Sequence, residues 1–417
     1  MRRFRLLWAG ETISQFGDRI SELALPLIAV LVLSATPTEV GLLTAAVWAP
    51  NLVSLLVGSW VDRQPNRKRL LITADLLRAA GLLSLPLAHW FGAVTLAQLF
   101  VVALISGAGQ VLFGTAYSSF FVTLVDRSQY VEAHSKLSLS RSASFVAGPT
   151  IGGFLIQVLT APVAMLVDAV SFLCSAALIG RIKVAPVEVG PRRSLLVEAG
   201  EGLRYVRGHP YLRAGLACVT TVNFFGFAAQ ALVVLFATRT LGLPVAVIGL
   251  TLGAGAVGGL AGAALAPKLS RRFGVGRMVV FGAFLFPAPT AVIAVISGPV
   301  WIVAVLFGAA WAVSAFGVMV MDINLNSVQA AVMTDRMRSR VAGVFGTVNY
   351  GARPVGAVVG GVLGSAIGLR PTLLVAGVGG MLGCLWLLPS PIPGVRDMES
   401  LAAPLAPSAR ESAPSSR

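Results

Sequence analysis

The sequence predicts an all-α membrane protein with about twelve transmembrane helices arranged as two six-helix pseudo-repeats. Of its 417 residues, 56% are hydrophobic and only 12% are charged, whereas a soluble domain carries about 25% charged residues. Apolar runs of about 20 residues, the length that spans a bilayer, recur along the chain. Basic residues gather in alternate loops, which is typical of a multi-pass membrane protein.

The apolar runs start near residues 10, 40, 70, 94, 138, 161, 213, 245, 277, 300, 341 and 370. Most arginines and lysines lie before the first run or in the loops that follow the even-numbered runs. The positive-inside rule therefore places both termini in the cytoplasm. The net charge of +15 is explained by this topology, so we exclude nucleic-acid binding.

Composition divides the chain into four segments. We expect a first six-helix half at residues 1–181, a cytoplasmic linker at 182–212, a second half at 213–390 and a disordered cytoplasmic tail at 391–417. Within the linker, the apolar spacing from Leu195 onward predicts an amphipathic segment on the inner membrane surface. The tail is rich in proline, serine and alanine, a composition that does not favour a packed core.

The two halves repeat weakly, at an offset of roughly 205–210 residues. Asp62-Arg63 falls on Arg271-Arg272, and Val125-Asp126-Arg127 falls on Thr334-Asp335-Arg336. A parallel repeat of six spans is a known transporter architecture, with the substrate site at the interface of the halves near the membrane midplane.

The loop after the second run carries a glycine, an acid and a basic cluster: Gly58, Asp62, Arg63, Arg67 and Lys68. Glycine lets a neighbouring helix approach closely, and Asp62 can face a helix N-terminus or pair with an arginine. The stretch resembles the loop between the second and third helices of the major facilitator superfamily, which implies a conformational latch. The alternative is a solvated basic loop that only sets topology.

The fifth run carries a glycine-proline element made of Gly148, Pro149, Gly152 and Gly153. Small residues permit close helix crossing and proline kinks a helix. The element resembles the motif of drug/proton antiporters in the same superfamily, with Ser144 in place of its first glycine. The resemblance implies the major facilitator fold and an interface at which the halves rock.

Three charged residues, Asp18, Arg19 and Glu22, lie in the first run. Each charge in a bilayer centre costs on the order of 2.5–3.5 kcal/mol, so packing alone is a poor explanation. Asp18 and Glu22 share a helix face, and we expect Arg19 to point away from it, with a compensating cation coming from another helix. The functional interpretation is a proton-coupling or cation-binding cavity. The structural interpretation is an ion pair with Arg19 or with Arg141.

Further polar residues lie inside apolar runs and are candidates for the same cavity: Arg141, Asn223, Gln230, Asp322 and Arg353. Arg353 has no acid in its own run, so we expect its partner to be Asp322 or an acid of the first run. Asp75 and Arg78 are three apart and are interpreted as a structural pair. For Asp168 both interpretations stay open.

Several kinds of site are not expected. The three cysteines and three histidines show no metal-ligand or nucleophile-base spacing, and there is no P-loop. We therefore expect no enzyme, cofactor or metal site. Residues 102–110, within the fourth run, lack the intramembrane arginine that many proton-driven exporters carry there. Proton coupling through such an arginine is therefore unsupported.

The pattern from Leu7 to Asp18 resembles the superfamily branch that contains macrolide-efflux and enterobactin-exporter proteins. This resemblance implies export of an amphipathic drug, siderophore or secondary metabolite across a bacterial plasma membrane. We also expect a monomer in membrane lipid, with protons as the coupling ion. One alternative is uptake of a small solute by symport. A second alternative is a membrane sensor that does not transport, but such a sensor would not need charges buried in the membrane at this cost.

Overall fold

The computed structural model describes residues 2–125, 129–183 and 195–399, and this part of the chain is helical without strands. Its α-helices are α1 (Arg2–Leu27), α2 (Pro37–Trp48), α3 (Ser54–Asp62), α4 (Arg67–Trp90), α5 (Leu96–Leu124), α6 (Tyr130–Leu159), α7 (Ala161–Gly180), α8 (Leu195–Gly208), α9 (Pro210–Leu235), α10 (Val245–Phe273), α11 (Val275–Leu285), α12 (Ala288–Val295), α13 (Val300–Val332), α14 (Asp335–Ala366) and α15 (Leu369–Met381).

Over the described residues these helices form twelve membrane-length spans, which confirms the predicted fold class. Helices α2 and α3 are joined by a 3-10 segment at Ala49–Val53 and count as one span, as do α11 with α12. Ten spans are long and apolar enough to cross a membrane by composition. The other two contain α1 and α14, and these two helices carry the charges of Asp18 and Arg353.

Local sequence signals set the helix ends. Thr36 and Glu39 form a reciprocal capping box before α2, with Pro37 in its first turn. In the basic loop, the side chain of Asn66 accepts a hydrogen bond from the backbone N–H of Arg69 and so caps α4. Asn66 is therefore the N-cap of α4, at a position where the superfamily pattern has its glycine region.

Each half packs around its own helices. In the first half, α1 lies against α6 and α7, and α4 lies against α5 and α7; in the second half, α9 lies against α14 and α15, and α10 lies against α13. The two halves meet mainly through α6 with α10 and α2 with α14.

Both interfaces between the halves depend on facing glycines. A Cβ on Gly153 of α6 would lie 2.9 Å from the Cα of Gly249 in α10, and a Cβ on Gly41 of α2 would lie 2.7 Å from the Cα of Gly361 in α14. Real side chains do not fit at such distances, so the backbones touch because these residues lack one.

The linker helix α8 packs on the second half. Glu201 forms an ion pair with Arg340 of α14, and Gly202 lies against the carbonyl of the same arginine. Residues 184–194 of the predicted linker lie outside the described residues, as do Asp126 and Arg127 of the predicted repeat.

The predicted tail needs one correction. Its first residues, 391–396, are not disordered, because Ile392 and Val395 are buried and the backbone N–H groups of Val275 and Gly276 donate to the carbonyls of Arg396 and Val395. These bonds satisfy N–H groups in the first turn of α11 that have no partner within the helix. Residues 400–417 of the predicted tail lie outside the described residues.

Candidate transport cavity

A cavity of about 530 Å³ lies between the two halves. Its walls are mostly apolar, and six aromatic side chains line them: Trp48, Phe172, Phe225, Phe227, Phe286 and Trp311. The polar residues that line it include Asp18, Arg19, Ser21, Glu22, Arg78, Gln110, Asp168, Asn223 and Gln230. An apolar cavity with a few convergent polar groups is the usual form of a small-molecule site.

The two cavity acids of α1, Asp18 and Glu22, each form an ion pair with an arginine. Asp18 forms an ion pair with Arg78 of α4, so the expectation of a cation from another helix is correct for Asp18. It is wrong for Glu22, whose Oε2 lies 2.7 Å from Nη1 of Arg19. Residues three apart on a helix are neighbours, and Gly148 leaves the space for the Arg19 stem, since a Cβ there would lie 2.5 Å from Cγ of Arg19.

The predicted pair of Asp75 with Arg78 is not formed. Arg78 pairs with Asp18 instead, and its guanidinium carbon lies 3.9 Å from the ring centre of Phe172. Asp75 is 1% exposed, and neither of its carboxylate oxygens has a hydrogen-bond partner of good geometry among the described residues. The hydroxyl of Ser175 on α7 lies beside its carboxyl group.

Asp168, for which the sequence left both interpretations open, is completely buried beside α1. Its side chain is hydrogen-bonded to the hydroxyls of Ser21 and Ser171. Gly17 of α1 permits this approach, because a Cβ there would collide with the Asp168 carboxyl group and the Ser171 hydroxyl.

Arg353 lies in an aromatic cage behind the cavity wall. Its guanidinium carbon is 4.4 Å from the ring centres of Trp48 and Tyr350 and 4.9 Å from that of Phe227. Its Nε donates to Oδ1 of Asn223 at 3.2 Å. The predicted partner Asp322 forms no ion pair with Arg353 and interacts with it only electrostatically, since among the described residues no carboxylate lies within ion-pair distance of Arg353. The rings and the amide replace it because ring faces attract a cation.

The remaining predicted cavity residues divide into two groups. Asn223 and Gln230 line the cavity from α9, as their shared face predicts. Arg141 and Asp322 do not line it: Arg141 interacts electrostatically with Glu11 near the start of α1, and Asp322 is half-buried in α13 and interacts with Arg353 only electrostatically.

The basic loop joins three helices of the first half. Gly58 and Asp62 lie in α3, Arg63 follows its end, and Arg67 and Lys68 begin α4. The Lys68 ammonium donates to the carbonyl of Gly180 at 2.6 Å, which places a cation at the C-terminus of α7. A helix C-terminus favours a positive charge, so this contact ties α4 to α7.

The glycine-proline element of α6 serves two interfaces. Gly148 and Gly152 face α1, where a Cβ on Gly152 would lie 3.2 Å from the Cα of Ile20. Gly153 faces α10 of the second half, and the carbonyl of Pro149 lies against Gly249. The element therefore packs α6 both within its own half and across the interface.

The sequence interpretation missed Trp48, Phe227 and Trp311 as cavity residues. Each lies in an apolar run in which an aromatic residue resembles ordinary lipid-facing or core packing. The signal that could have found Trp48 and Phe227 is Arg353, because a guanidinium inside an apolar run can be stabilised by aromatic ring faces as well as by an acid.

Comparisons with known proteins agree with this fold. The family model described as transmembrane secretion effector matches residues 1–412. The chain is 26% identical over 388 residues to a protein of Mycolicibacterium fortuitum named multidrug efflux pump Tap, covering 86% of this chain and 88% of that protein.

Among solved structures, the chain is similar to a bacterial homologue of the iron transporter ferroportin in an inward-facing state. The TM-score is 0.75 at 16% identity, covering 93% of this chain and 98% of the other. The nucleoside transporter NupG gives a TM-score of 0.73 at 13% identity, covering 93% and 99%. At these identities the likeness shows the fold alone.

Proposed function

The chain belongs to the transmembrane secretion effector family, a family of major facilitator transporters and not of enzymes, and from that premise we propose that it exports amphipathic small molecules. The observation that carries this proposal is the aromatic cavity between the halves, which also holds carboxylates. Drugs, siderophores or other secondary metabolites are the candidate substrates. The name of the M. fortuitum relative supports the drug class.

The exposed carboxylate of Glu22 makes cationic compounds the favoured class. The acids of the cavity lining are Asp18, Glu22 and Asp168, and its bases are Arg19 and Arg78. The side chain of Glu22 is 57% exposed and faces the cavity. A carboxylate beside aromatic rings attracts an organic cation through charge and ring faces together.

Alternating access is supported by where the halves touch. The side-chain hydrogen bonds between the halves, as far as the chain is described, lie at one end: Thr38 with Ser365 at 2.7 Å and with the Gly361 carbonyl, Arg239 with the Val30 carbonyl, and Gln157 with the Ala246 N–H. The basic loops lie at the opposite end, so the positive-inside rule makes the closed end extracellular. In this orientation the cavity opens to the cytoplasm, and both termini are cytoplasmic.

We propose that the protein is a monomer in a bacterial plasma membrane and that protons are its coupling ion. The test is accumulation of the organic cation ethidium in cells with and without the protein, with and without a protonophore. Export predicts lower accumulation in expressing cells, and the protonophore should abolish the difference. Higher accumulation in expressing cells would instead show uptake by symport.

A further inference from the structure

A polar cluster at the edge of the cavity extends into the first half, between α1, α4 and α7. It consists of the carboxyl groups of Asp18, Asp75 and Asp168 and the guanidinium of Arg78. Asp75 and Asp168 are buried to 1% and 0% exposure. Asp18 interacts electrostatically with both of these acids, and Arg78 does so as well.

The charges of this cluster do not balance if every group is ionised. Three carboxylates face one guanidinium, and the neighbouring cation Arg19 is already paired with Glu22. Because Arg78 is paired with Asp18, Asp75 and Asp168 would each carry an uncompensated charge out of water. Such charges are strongly unfavourable, and a buried acid without a cation takes up a proton instead.

The hydrogen bonds of Asp168 fit the neutral acid. The Ser171 hydroxyl lies within hydrogen-bond distance of two oxygens of Asp168, the backbone carbonyl at 2.7 Å and Oδ1 at 3.0 Å. The hydroxyl has one hydrogen, so when it donates to the nearer carbonyl, a proton on Oδ1 can donate back to the Ser171 oxygen. The other oxygen, Oδ2, accepts from Ser21, so a protonated Asp168 has every polar atom satisfied.

The two acids differ in their position relative to the cavity. Asp168 borders it although its own side chain is 0% exposed, and its Oδ2 accepts a hydrogen bond from the hydroxyl of Ser21, which also lines the cavity. Asp75 does not line the cavity. Ser171 and Ser175 lie one turn apart on α7, next to Asp168 and Asp75 respectively. Asp168 is therefore placed to exchange a proton with the cavity, and Asp75 to hold one in the interior.

We propose that Asp75 and Asp168 each hold a proton while Arg78 is paired with Asp18, and that Asp168 releases its proton to cavity water during transport. The proposal rests on proton-driven export and assigns the proton to acids other than Asp18 and Glu22, each of which has its own arginine. Once ionised, Asp168 competes with Asp18 for Arg78. That competition changes the contacts between α1, α4 and α7. Release of the proton is thereby coupled to a change in the packing of the first half.

The test is the infrared carbonyl band of protonated carboxyl groups, recorded at neutral pH on the full chain in a maltoside detergent, which has no carbonyl group. Exchange into D₂O identifies the band by its shift. Asp75→Asn and Asp168→Asn should each remove a component of the wild-type band. Glu132→Gln is the matched control, because Glu132 is exposed and paired with Lys136, and it should leave the band unchanged.

Asp18→Asn gives the sharper result. It removes an ionised group, yet the protonated band should weaken, because Arg78 is released to pair with Asp168 or Asp75. A wild-type protein without the band at neutral pH would overturn the proposal even if a variant fails to fold, as would a band unaffected by both aspartate variants. The infrared measurement needs no substrate. If the band is present but the cells export no ethidium, the proposed function is refuted and the protonation of Asp75 and Asp168 still stands.

Discussion

The guanidinium carbon of Arg353, in the second half of the bundle, lies 4.4 Å from the ring centre of Trp48 in the first. The other members of the cage, Phe227 and Tyr350, belong to the second half with Arg353. A movement of one half against the other must therefore change the Trp48 contact while the rest of the cage moves with the arginine.

Substitution of Trp48 should slow transport. A cation–π contact contributes about 0.5–2 kcal/mol, so Trp48→Leu should change the balance of the open and closed states several-fold, and Trp48→Phe should change it less. Ethidium efflux rates at equal expression measure the effect. Trp301→Leu, at a tryptophan 70% exposed on the outer surface, is the control, and an equal loss there would refute a specific role for the cage.

Glu22→Gln should weaken export of cations more than export of neutral compounds. It removes the exposed carboxylate of the cavity and keeps the side-chain volume. Competition between ethidium and a neutral antibiotic in the same cells measures the selectivity. Glu39→Gln, at the capping box of α2, is the control for loss of an acid elsewhere, and unchanged selectivity in Glu22→Gln would show that Glu22 is structural.

Gly153→Ala should prevent full closure at the end of the bundle where Thr38 contacts Ser365, because the added Cβ would lie 2.9 Å from the Cα of Gly249. Gly114→Ala is the matched control, since a Cβ there meets nothing within 4 Å. Disulfide formation between cysteines at positions 38 and 365, with the native cysteines replaced, reports closure. We expect slower cross-linking and reduced efflux for Gly153→Ala, and no change in either for Gly114→Ala.

Asp62→Asn should abolish or strongly reduce transport while the protein still reaches the membrane. Asp62 ends α3, next to the loop whose Lys68 donates to the C-terminus of α7, and the latch hypothesis requires the negative charge of Asp62 at this position. Membrane abundance and ethidium efflux are measured together. Full efflux at normal abundance would remove the latch role from this motif.

Charge reversal should test the attachment of the linker helix. Glu201→Arg and Arg340→Glu each place like charges together, and the double variant restores an ion pair of opposite direction. We expect a lower thermal unfolding temperature in each single variant and recovery in the double one. The contribution of the pair is about 1 kcal/mol, at the upper end for a partly exposed ion pair, and no recovery would mean that these residues act independently.

The number of spans and the division into halves followed from hydropathy and the placement of basic residues, because lipid admits few alternatives to a helix. The acids of α1 were identified because charge inside an apolar run is costly. The ion-pair partners of these acids were not predictable in the same way. Arg78 lies 60 residues from Asp18, and the choice between Asp18 and Asp75 as its partner depends on packing by Phe172 that only the folded chain defines.

The cavity acids Asp18, Glu22 and Asp168 all lie in the first half, whereas four of the six aromatic wall residues, Phe225, Phe227, Phe286 and Trp311, lie in the second. Under the proposed function, substitutions of wall residues in α9, in α13 or at the junction of α11 and α12 therefore change the shape of the cavity without removing any of its acids. Variants that differ only in the second half are expected to export a different range of compounds with the same charged residues in the first half.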